Sequence, residues 1–217
     1  MNQSKQLRRI LIFSTAYYPF VGGAEVAIKE ITNRLSSDFE FDLITAKLQK
    51  DLVSEEIIGS TNVYRIGNGN KTLDKILLPF RGAIKVWKLN KTRKYYCLWG
   101  VMVTFASGAG YLFNILRLLS FKKRIPMILT LQEGDSESYL KYKWGGLIGL
   151  SWRLALNSTD ILTGISSFLL NRAKKYGYSG DSVLVPNGVN LSIFLRQVSP
   201  EEKANLAESL RKKSGDI

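Results

Sequence analysis

The 217-residue sequence contains no histidine and a single cysteine. Without histidine there is no Ser-His or Cys-His pair and no His-containing zinc site, and one cysteine forms neither an internal disulfide nor a Cys-only zinc site. Any catalysis must therefore depend on carboxylates, amides, hydroxyls, backbone dipoles or groups outside the chain. Cys97 lies in an aliphatic and aromatic run. We interpret it as a small buried side chain, typical of a reducing, cytoplasmic setting.

Long apolar segments are also scarce. The start, Met1 to Arg9, is polar and basic, and the following apolar run, Ile10 to Phe13, is too short for the core of a secretion signal. Leu98 to Leu116 has no charged residue and approaches the length of a membrane span. Because this segment contains glycines and is basic on both sides, we predict a strand, a glycine-rich turn and a buried helix instead.

Acidic residues are outnumbered by basic ones. Lysine and arginine total 31 against 18 aspartates and glutamates, which gives a formal net charge of +13. An excess of this size indicates a polyanionic partner, which is nucleic acid, an anionic lipid surface or a phosphorylated ligand. The bases are concentrated in the stretches 85–94, 122–124 and 172–175. The hydrophobic fraction of 45% is sufficient for a packed globular core.

Short apolar strands alternate with amphipathic helices nearly one for one. The first strand is predicted over Arg9 to Ser14, a helix over Leu73 to Leu89 is expected to break near Pro79, and another helix starts near Tyr111. This alternation predicts an α/β fold with a doubly wound, mostly parallel, Rossmann-like sheet. Ligands of such folds bind at the carboxyl ends of the strands. Those ends lead into five loops, which follow Ser14, Val103, Leu131, Ile165 and Val185.

The last twenty residues suggest a domain boundary. Ser199 to Glu202 reads as a capping box with proline at the first helical position, followed by a helix to about Lys213. The final Asp216-Ile217 resembles the lead-in to another strand. We therefore predict a Rossmann-like domain over 1–196, then a linker helix and the start of a second domain over 197–217.

The common phosphate-binding and nucleophile motifs fail on inspection. Gly108 to Phe113 has phenylalanine where the dinucleotide fingerprint needs its third glycine, and there is no Walker loop. Gly164 to Phe168 lacks the final glycine of a nucleophile elbow, and no histidine exists to serve it.

A glycine pair remains as a candidate. Gly22 and Gly23, followed by Glu25, stand between the first predicted strand and the first helix. Glycines let backbone amides approach a ligand closely, and a helix N-terminus favours phosphate or another anion. The alternative is a plain turn in which Glu25 complements the helix dipole.

A second candidate group follows the predicted strand that ends at Leu131. Gln132, Glu133 and Asp135 provide an amide and two carboxylates at a carboxyl edge, where they can bind sugar hydroxyls or position a nucleophile. The alternative is an ordinary turn.

Two weaker candidates come later in the chain. Asn187 and Gly188 follow a proline in the order that a tight turn requires, and a turn alone explains them. Ser166 precedes a predicted helix, which is the usual place of an N-cap.

Taken together, these segments resemble the N-terminal domain of glycosyltransferase family 4, a large retaining family of GT-B architecture. The similar pieces, in order, are Tyr17-Tyr18-Pro19 with Gly22-Gly23-Ala24-Glu25, then Ile161 to Lys174, then Val185 to Asn190 with Phe194. Each is weak alone, but three in register cover nearly the whole chain. One departure is the absence of the histidine that many members carry near the strand ending here in Thr130-Leu131; Gln132 follows instead.

The resemblance implies a function for each candidate. This half would bind a hydroxyl acceptor, and a second half would bind the nucleotide-sugar donor, with retaining transfer between them. Gly22, Gly23 and Glu25 would face the donor diphosphate. Gln132, Glu133, Asp135 and Ser166 would contact acceptor or sugar, and the turn at Asn187 and Gly188 would line the cleft. No metal and no cofactor beyond the donor substrate is expected.

The sequence also gives expectations for the location and partners of the protein, and it leaves two alternative functions open. We expect a cytoplasmic protein, peripheral at the inner face of the plasma membrane, whose acceptor is a hydroxyl compound or a lipid-linked sugar. No specific nucleic acid is expected. The rival interpretation is a non-enzymatic basic α/β module that binds an anionic membrane or nucleic acid. A further alternative is a complete chain that pairs with a separate donor-binding subunit.

Overall fold

The computed structural model describes residues 7–103, 105–132, 147–195, 197, 199–202, 205 and 208. They belong to two units, one that extends to Asn187 and one that starts at Gly188. The proposed domain limits, 1–196 and 197–217, stay a prediction.

The elements of the first unit alternate as predicted. The strands are β1 (Arg8–Phe13), β2 (Phe39–Ala46), β3 (Glu55–Ile58), β4 (Thr61–Ile66), β5 (Tyr95–Val101), β6 (Met127–Leu131), β7 (Ile161–Gly164) and β8 (Asp181–Leu184). The helices are α1 (Gly23–Arg34), α2 (Lys71–Leu89), α3 (Ala106–Leu119), α4 (Leu147–Asn157) and α5 (Ser167–Lys175).

The eight strands form one sheet in the order β3-β4-β2-β1-β5-β6-β7-β8. Neighbouring strands are parallel, except that β3 runs antiparallel to β4. From β1 the chain builds outward through β2 on one side, and it later returns to build outward through β5 on the other, which defines a doubly wound sheet. The predicted Rossmann-like α/β fold class is confirmed. The edge strand β3 was not predicted.

Helices cover the sheet on both faces. Ala24 and Ile28 of α1 cluster with Ile12 of β1, whereas α2 and α3 cluster with Leu11 and Phe13. Because successive residues of a strand point to opposite faces, α1 lies on one face and α2 and α3 lie on the other. Helices α4 and α5 extend the second layer over β6 and β7.

Two predictions for the apolar middle of the chain were wrong. Helix α2 continues through Pro79 without a break, and α3 begins at Ala106, so Gly108 and Gly110 lie in a helix and not in a turn. A Cβ at Gly108 would lie 2.9 Å from the Cβ of Pro79, and one at Gly110 would lie 3.0 Å from the ring of Phe13. The glycines therefore allow α3 to pack closely against α2 and β1, and the proline ring fills part of that interface.

A buried carboxylate joins four segments in the amino-terminal half of the sheet. Asp42 on β2 has no exposed surface. Its Oδ1 accepts hydrogen bonds from Arg93 at 2.7 Å, Asn62 at 2.9 Å and Arg9 at 3.1 Å, and its Oδ2 accepts one from the Tyr95 hydroxyl at 2.7 Å. Both carboxylate oxygens are therefore satisfied, Oδ1 by two arginines and an amide and Oδ2 by a hydroxyl, which is the condition for burying a charge.

The interpretation of Cys97 as a buried side chain is confirmed by the structure. Cys97 is buried, and burial raises the pKa of its thiol to about 11. Within the described ranges, no helix is long and apolar enough to cross a bilayer.

The second unit contains the predicted capping box. After the short helix α6 (Leu191–Phe194), the backbone N–H of Ser199 donates to Glu202 Oε2 and that of Glu202 donates to Ser199 Oγ, each at 3.1 Å. The reciprocal pair confirms the helix start that the sequence predicts at this position.

Candidate functional site

The candidate site lies where the winding of the sheet reverses. Strands β1 and β5 are neighbours, and the chain leaves their carboxyl ends toward opposite halves of the sheet. In doubly wound folds this divergence opens a crevice in which ligands bind. The loop 14–22 follows β1, and Met102, Val103 and Phe105 follow β5. Both loops were among those that the sequence predicts to carry function.

The loop after β1 is held in place before α1 begins. The Ser14 hydroxyl donates to the Ala16 carbonyl at 2.8 Å, and the ring of Tyr17 is buried in the core under α1. The buried Arg65 donates to the carbonyl of Tyr18 at 2.5 Å, and the Lys29 ammonium lies 4.6 Å from the centre of the Tyr18 ring. This loop therefore has a fixed path to the start of the helix.

The start of α1 is open. Gly22 is the N-cap residue, and no side chain caps this end of the helix. A Cβ at Gly23 would meet nothing within 4 Å, and both glycines are exposed. Neither glycine has a positive φ, so neither backbone strain nor packing requires glycine at position 23. The first turn is therefore exposed and has no side-chain cap, and the positive end of the helix dipole makes this arrangement suited to an anion.

Glu25 lies at the same helix end. A Cβ at Gly22 would approach the Glu25 Oε2 to 2.6 Å, so the carboxylate folds back toward the N-cap residue. A negative charge in the first turn stabilises the helix dipole, as the alternative interpretation expects. It also places a hydrogen-bond acceptor beside the open amides.

The loop after β5 contains two residues that sequence reasoning missed. Met102 and Phe105 have φ angles of +67° and +59°, a region that residues other than glycine rarely adopt. The loop is fixed by a hydrogen bond from the Ser107 hydroxyl to the Met102 carbonyl and by one from the Met102 N–H to the Thr130 carbonyl at 2.9 Å. Strained backbone of this kind concentrates at functional sites. Methionine and phenylalanine have no preference for left-handed backbone, so these residue types do not indicate the conformation in the sequence.

Two predicted binding residues are brought together across the sheet edge. The Asn187 side-chain amide lies 3.5 Å from Gln132 Oε1, although 55 residues separate them in sequence. At this distance the contact is weak, so either amide can exchange it for a hydroxyl. Glu133 and Asp135 lie outside the described residues. Gly188 belongs to the second unit.

Ser166 is the N-cap of α5. Its Oγ accepts a hydrogen bond from the Leu169 backbone N–H at 3.4 Å. The hydroxyl proton remains available as a donor. Among the described residues, no group of His, Cys, Asp and Glu side chains is arranged to hold a metal ion.

The sequence and fold identify the class of protein. The chain belongs to glycosyltransferase family 4, whose sequence model matches residues 21–193. The match starts one residue before the open glycine pair and includes every candidate site residue. No curated protein sequence matches the chain.

Solved structures share the fold. Sucrose-phosphate synthase from Thermosynechococcus elongatus is similar with a TM-score of 0.67 at 13% identity, covering 92% of this chain and 52% of that one. A trehalose-6-phosphate structure from E. coli bound with UDP-2-fluoro glucose has a TM-score of 0.57 at 11% identity, covering 94% and 54%. A trehalose-6-phosphate synthase has a TM-score of 0.56 at 11% identity, covering 94% and 55%. This chain thus spans about half the length of each.

Proposed function

We propose that this chain is the acceptor-binding half of a glycosyltransferase that moves a sugar from a nucleotide-sugar donor to a hydroxyl acceptor with retention. Family membership supports glycosyl transfer. The observation that carries the assignment of a site is the uncapped N-terminus of α1 at the carboxyl edge of the sheet. The other half of the cleft is supplied by a second domain or by a separate subunit.

The open amides suit the chemistry of the leaving group. In the transfer, the bond between the sugar and the diphosphate breaks, a bond to the acceptor oxygen forms, and negative charge develops on the departing nucleoside diphosphate. Backbone N–H groups at Gly22 and Gly23 would stabilise that charge without reorganising, because the loop before them is already fixed. The absence of a side chain at Gly23 lets a phosphate approach the helix end closely.

Polar groups along the same edge are proposed to hold hydroxyls. Gln132 and Asn187 offer amide donors and acceptors, and Ser166 offers a hydroxyl donor. Glu25 would accept a hydrogen bond from a sugar hydroxyl beside the diphosphate, since a carboxylate in direct contact with an anion is repulsive. Glu133 and Asp135 remain proposed acceptor residues. No metal is required in this scheme, because amide dipoles and bases from the other half balance the charge.

The proposal also indicates which donors to test and where the acceptor lies. The E. coli structure above is bound with UDP-2-fluoro glucose, so a panel of nucleotide sugars that includes UDP-glucose is the rational first set of donors. The net charge of +13 supports an acceptor at an anionic surface, such as a lipid-linked sugar at the inner face of the plasma membrane.

The test is turnover of the complete enzyme with Gly23→Val. The valine side chain would keep the diphosphate away from the backbone N–H groups, so we expect kcat/KM to fall at least about 100-fold, the magnitude associated with losing one preorganised hydrogen bond to a developing oxyanion. The matched control is Ile31→Ala, two turns along the same helix and 37% exposed, which should keep its activity. Unchanged turnover in Gly23→Val, with stability also unchanged, would contradict the assigned site.

The origin of the donor half is tested separately by reading the DNA after the codon for Ile217. An in-frame or adjacent reading frame for a second Rossmann-like domain supports the proposal. If neither exists, the second candidate function gains weight: a non-enzymatic basic module, supported by the +13 charge. That function predicts binding to any polyanion that weakens steeply with salt.

A further inference from the structure

The outward face of α3 is apolar. Ile115, Leu116, Leu118 and Leu119 are 42%, 39%, 56% and 73% exposed. Between them only Arg117 is charged, and it is partly buried, with its Nε bound to the Lys123 carbonyl at 2.8 Å. A helix on the surface of a water-soluble domain normally has a polar outer face. An apolar one indicates a surface that contacts something other than water.

Phe121 extends this face past the end of the helix. Its side chain is fully exposed, and its backbone has a φ of +56°. The turn is well bonded, because the Phe121 N–H donates to the Leu118 carbonyl at 3.0 Å and the Lys122 N–H donates to the Arg117 carbonyl at 2.8 Å. A bulky residue in left-handed backbone is unfavourable, and an exposed phenyl ring adds to the cost in water. The turn therefore presents the ring outward in a fixed position.

Basic side chains lie at one end of the apolar surface. Lys122 and Lys123 directly follow Phe121 and are exposed. The Lys122 ammonium lies 5.1 Å from the centre of the Trp87 ring on α2, which brings the exposed Lys88 and Lys91 to the same end of the domain. Between Asp74 and Glu133 the sequence has eleven lysines and arginines and no acidic residue.

We propose that this surface, here called the docking face, binds an anionic lipid bilayer. Its members are Ile115, Leu116, Leu118, Leu119 and Phe121, with Lys88, Lys91, Lys122 and Lys123 at its border. Apolar side chains would enter the boundary between headgroups and acyl chains while lysines pair with anionic headgroups. Charge complementarity favours a bilayer over a protein partner, because flexible lysines beside exposed apolar side chains can pair with the headgroups of a fluid anionic surface.

The docking face is distinct from the candidate site. Helix α3 starts at the carboxyl edge and ends with its exposed face at the amino edge, about 20 Å away at 1.5 Å per residue over its 14 residues. The inference therefore stands independently of the proposed glycosyl transfer.

The experiment is flotation of the 217-residue chain with vesicles of phosphatidylcholine alone and of phosphatidylcholine with phosphatidylglycerol. Two variants remove the apolar contacts, Phe121→Gly and Leu119→Ser. Glycine is favoured at a φ of +56°, so Phe121→Gly removes the ring without endangering the fold. The matched control is Ile57→Ser on β3, which is also 73% exposed but lies at the far edge of the sheet.

We expect the chain to float with anionic vesicles only, and each docking-face variant to lower the partition coefficient at least about ten-fold while Ile57→Ser does not. Three results would overturn the proposal: no binding to either vesicle; salt-sensitive binding that both variants leave intact, which indicates charge alone and is expected of a nucleic-acid binder; or a dimer in sedimentation that Leu119→Ser dissociates, which assigns the face to a second copy.

Discussion

The two edges of the sheet are built in opposite ways. At the amino-terminal end, charged groups are satisfied by one another: the buried Asp42 accepts four hydrogen bonds, and the exposed Asp160 accepts one from the Met127 N–H at 2.8 Å while pairing with Arg124. At the carboxyl edge, Gly22 leaves a helix end uncapped, and Met102 and Phe105 hold strained backbone.

The difference separates stability from function within one domain. Polar groups at the amino-terminal end of the sheet bind one another, so changing them should lower the free energy of unfolding. At the carboxyl edge the start of α1 has no side-chain cap, so changing Gly23 should cost ligand binding and leave folding nearly unaffected. Even two helix starts at this edge differ, since Ser166 caps α5 with its own hydroxyl and Gly22 does not cap α1.

The largest effect is expected for Asp42→Asn. The change leaves Arg9 and Arg93 without the buried charge they pair with, and removing one partner of a buried ion pair costs about 3–5 kcal/mol. Urea unfolding followed by tryptophan fluorescence measures the loss. Glu30→Gln, which breaks an exposed i,i+4 pair with Arg34, is the control and should cost under about 0.5 kcal/mol. Equal losses of unfolding free energy in Asp42→Asn and Glu30→Gln would contradict the distinction between buried and exposed charges.

Alkaline pH is expected to weaken the fold next. Burial raises the pKa of Tyr17 from 10.0 to about 12 and that of Cys97 from 9.0 to about 11. Because the folded state keeps these protons longer than the unfolded chain, their stabilising contribution is complete below about pH 9 and is lost as pH rises toward about 12. The urea midpoint of the native chain should fall as the pH rises over that range. The midpoint of Cys97→Ala should fall less in the lower part of the range, where the thiol of the unfolded chain titrates. A thiol reagent that modifies folded Cys97 at pH 8 would contradict the assigned burial.

A smaller effect is expected for Ser166→Ala. Losing the hydroxyl that accepts from Leu169 N–H should cost about 1 kcal/mol, the usual value of an N-cap. Ser166→Asp keeps an acceptor at the cap and should restore stability. If both variants are as stable as the native chain, Ser166 is not a structural cap.

The smallest effect on folding is expected for Gly23→Ala. A Cβ there has free space and an ordinary helical backbone, so stability should stay the same or rise by up to about 1 kcal/mol. Gly108→Ala is the contrasting variant, because its Cβ would lie 2.9 Å from Pro79 and should destabilise the domain. The melting temperatures of the two variants test whether the fold requires glycine at position 23.

Local patterns predicted most of this fold. Alternating apolar strands and amphipathic helices gave the parallel sheet, and Gly22-Gly23 before an apolar helical stripe gave the start of α1 within one residue. These features depend on residues that are near one another in sequence, which is why periodicity and capping chemistry detect them.

What escaped prediction depends on residues that are distant in sequence. Pro79 fits inside α2 because Gly108 leaves room for its ring, and 29 positions separate the two. The Asp42 cluster forms only when β1, β2 and β5 are in register. The left-handed backbone at Met102 is imposed by tertiary hydrogen bonds and not by its own preference. Single-sequence reasoning has no access to such contacts.

The antiparallel strand β3 has a consequence for the behaviour of the protein in concentrated solution. An unpaired sheet edge is a template for another chain, and this one presents Glu55 paired with Lys85 and Glu56 paired with Arg65. A second copy that added its own β3 would bring two glutamates from each chain into the new strand pair, and charged side chains on an edge strand disfavour such pairing. Strand β3, which was not predicted from the sequence, therefore disfavours self-association at that edge of the sheet.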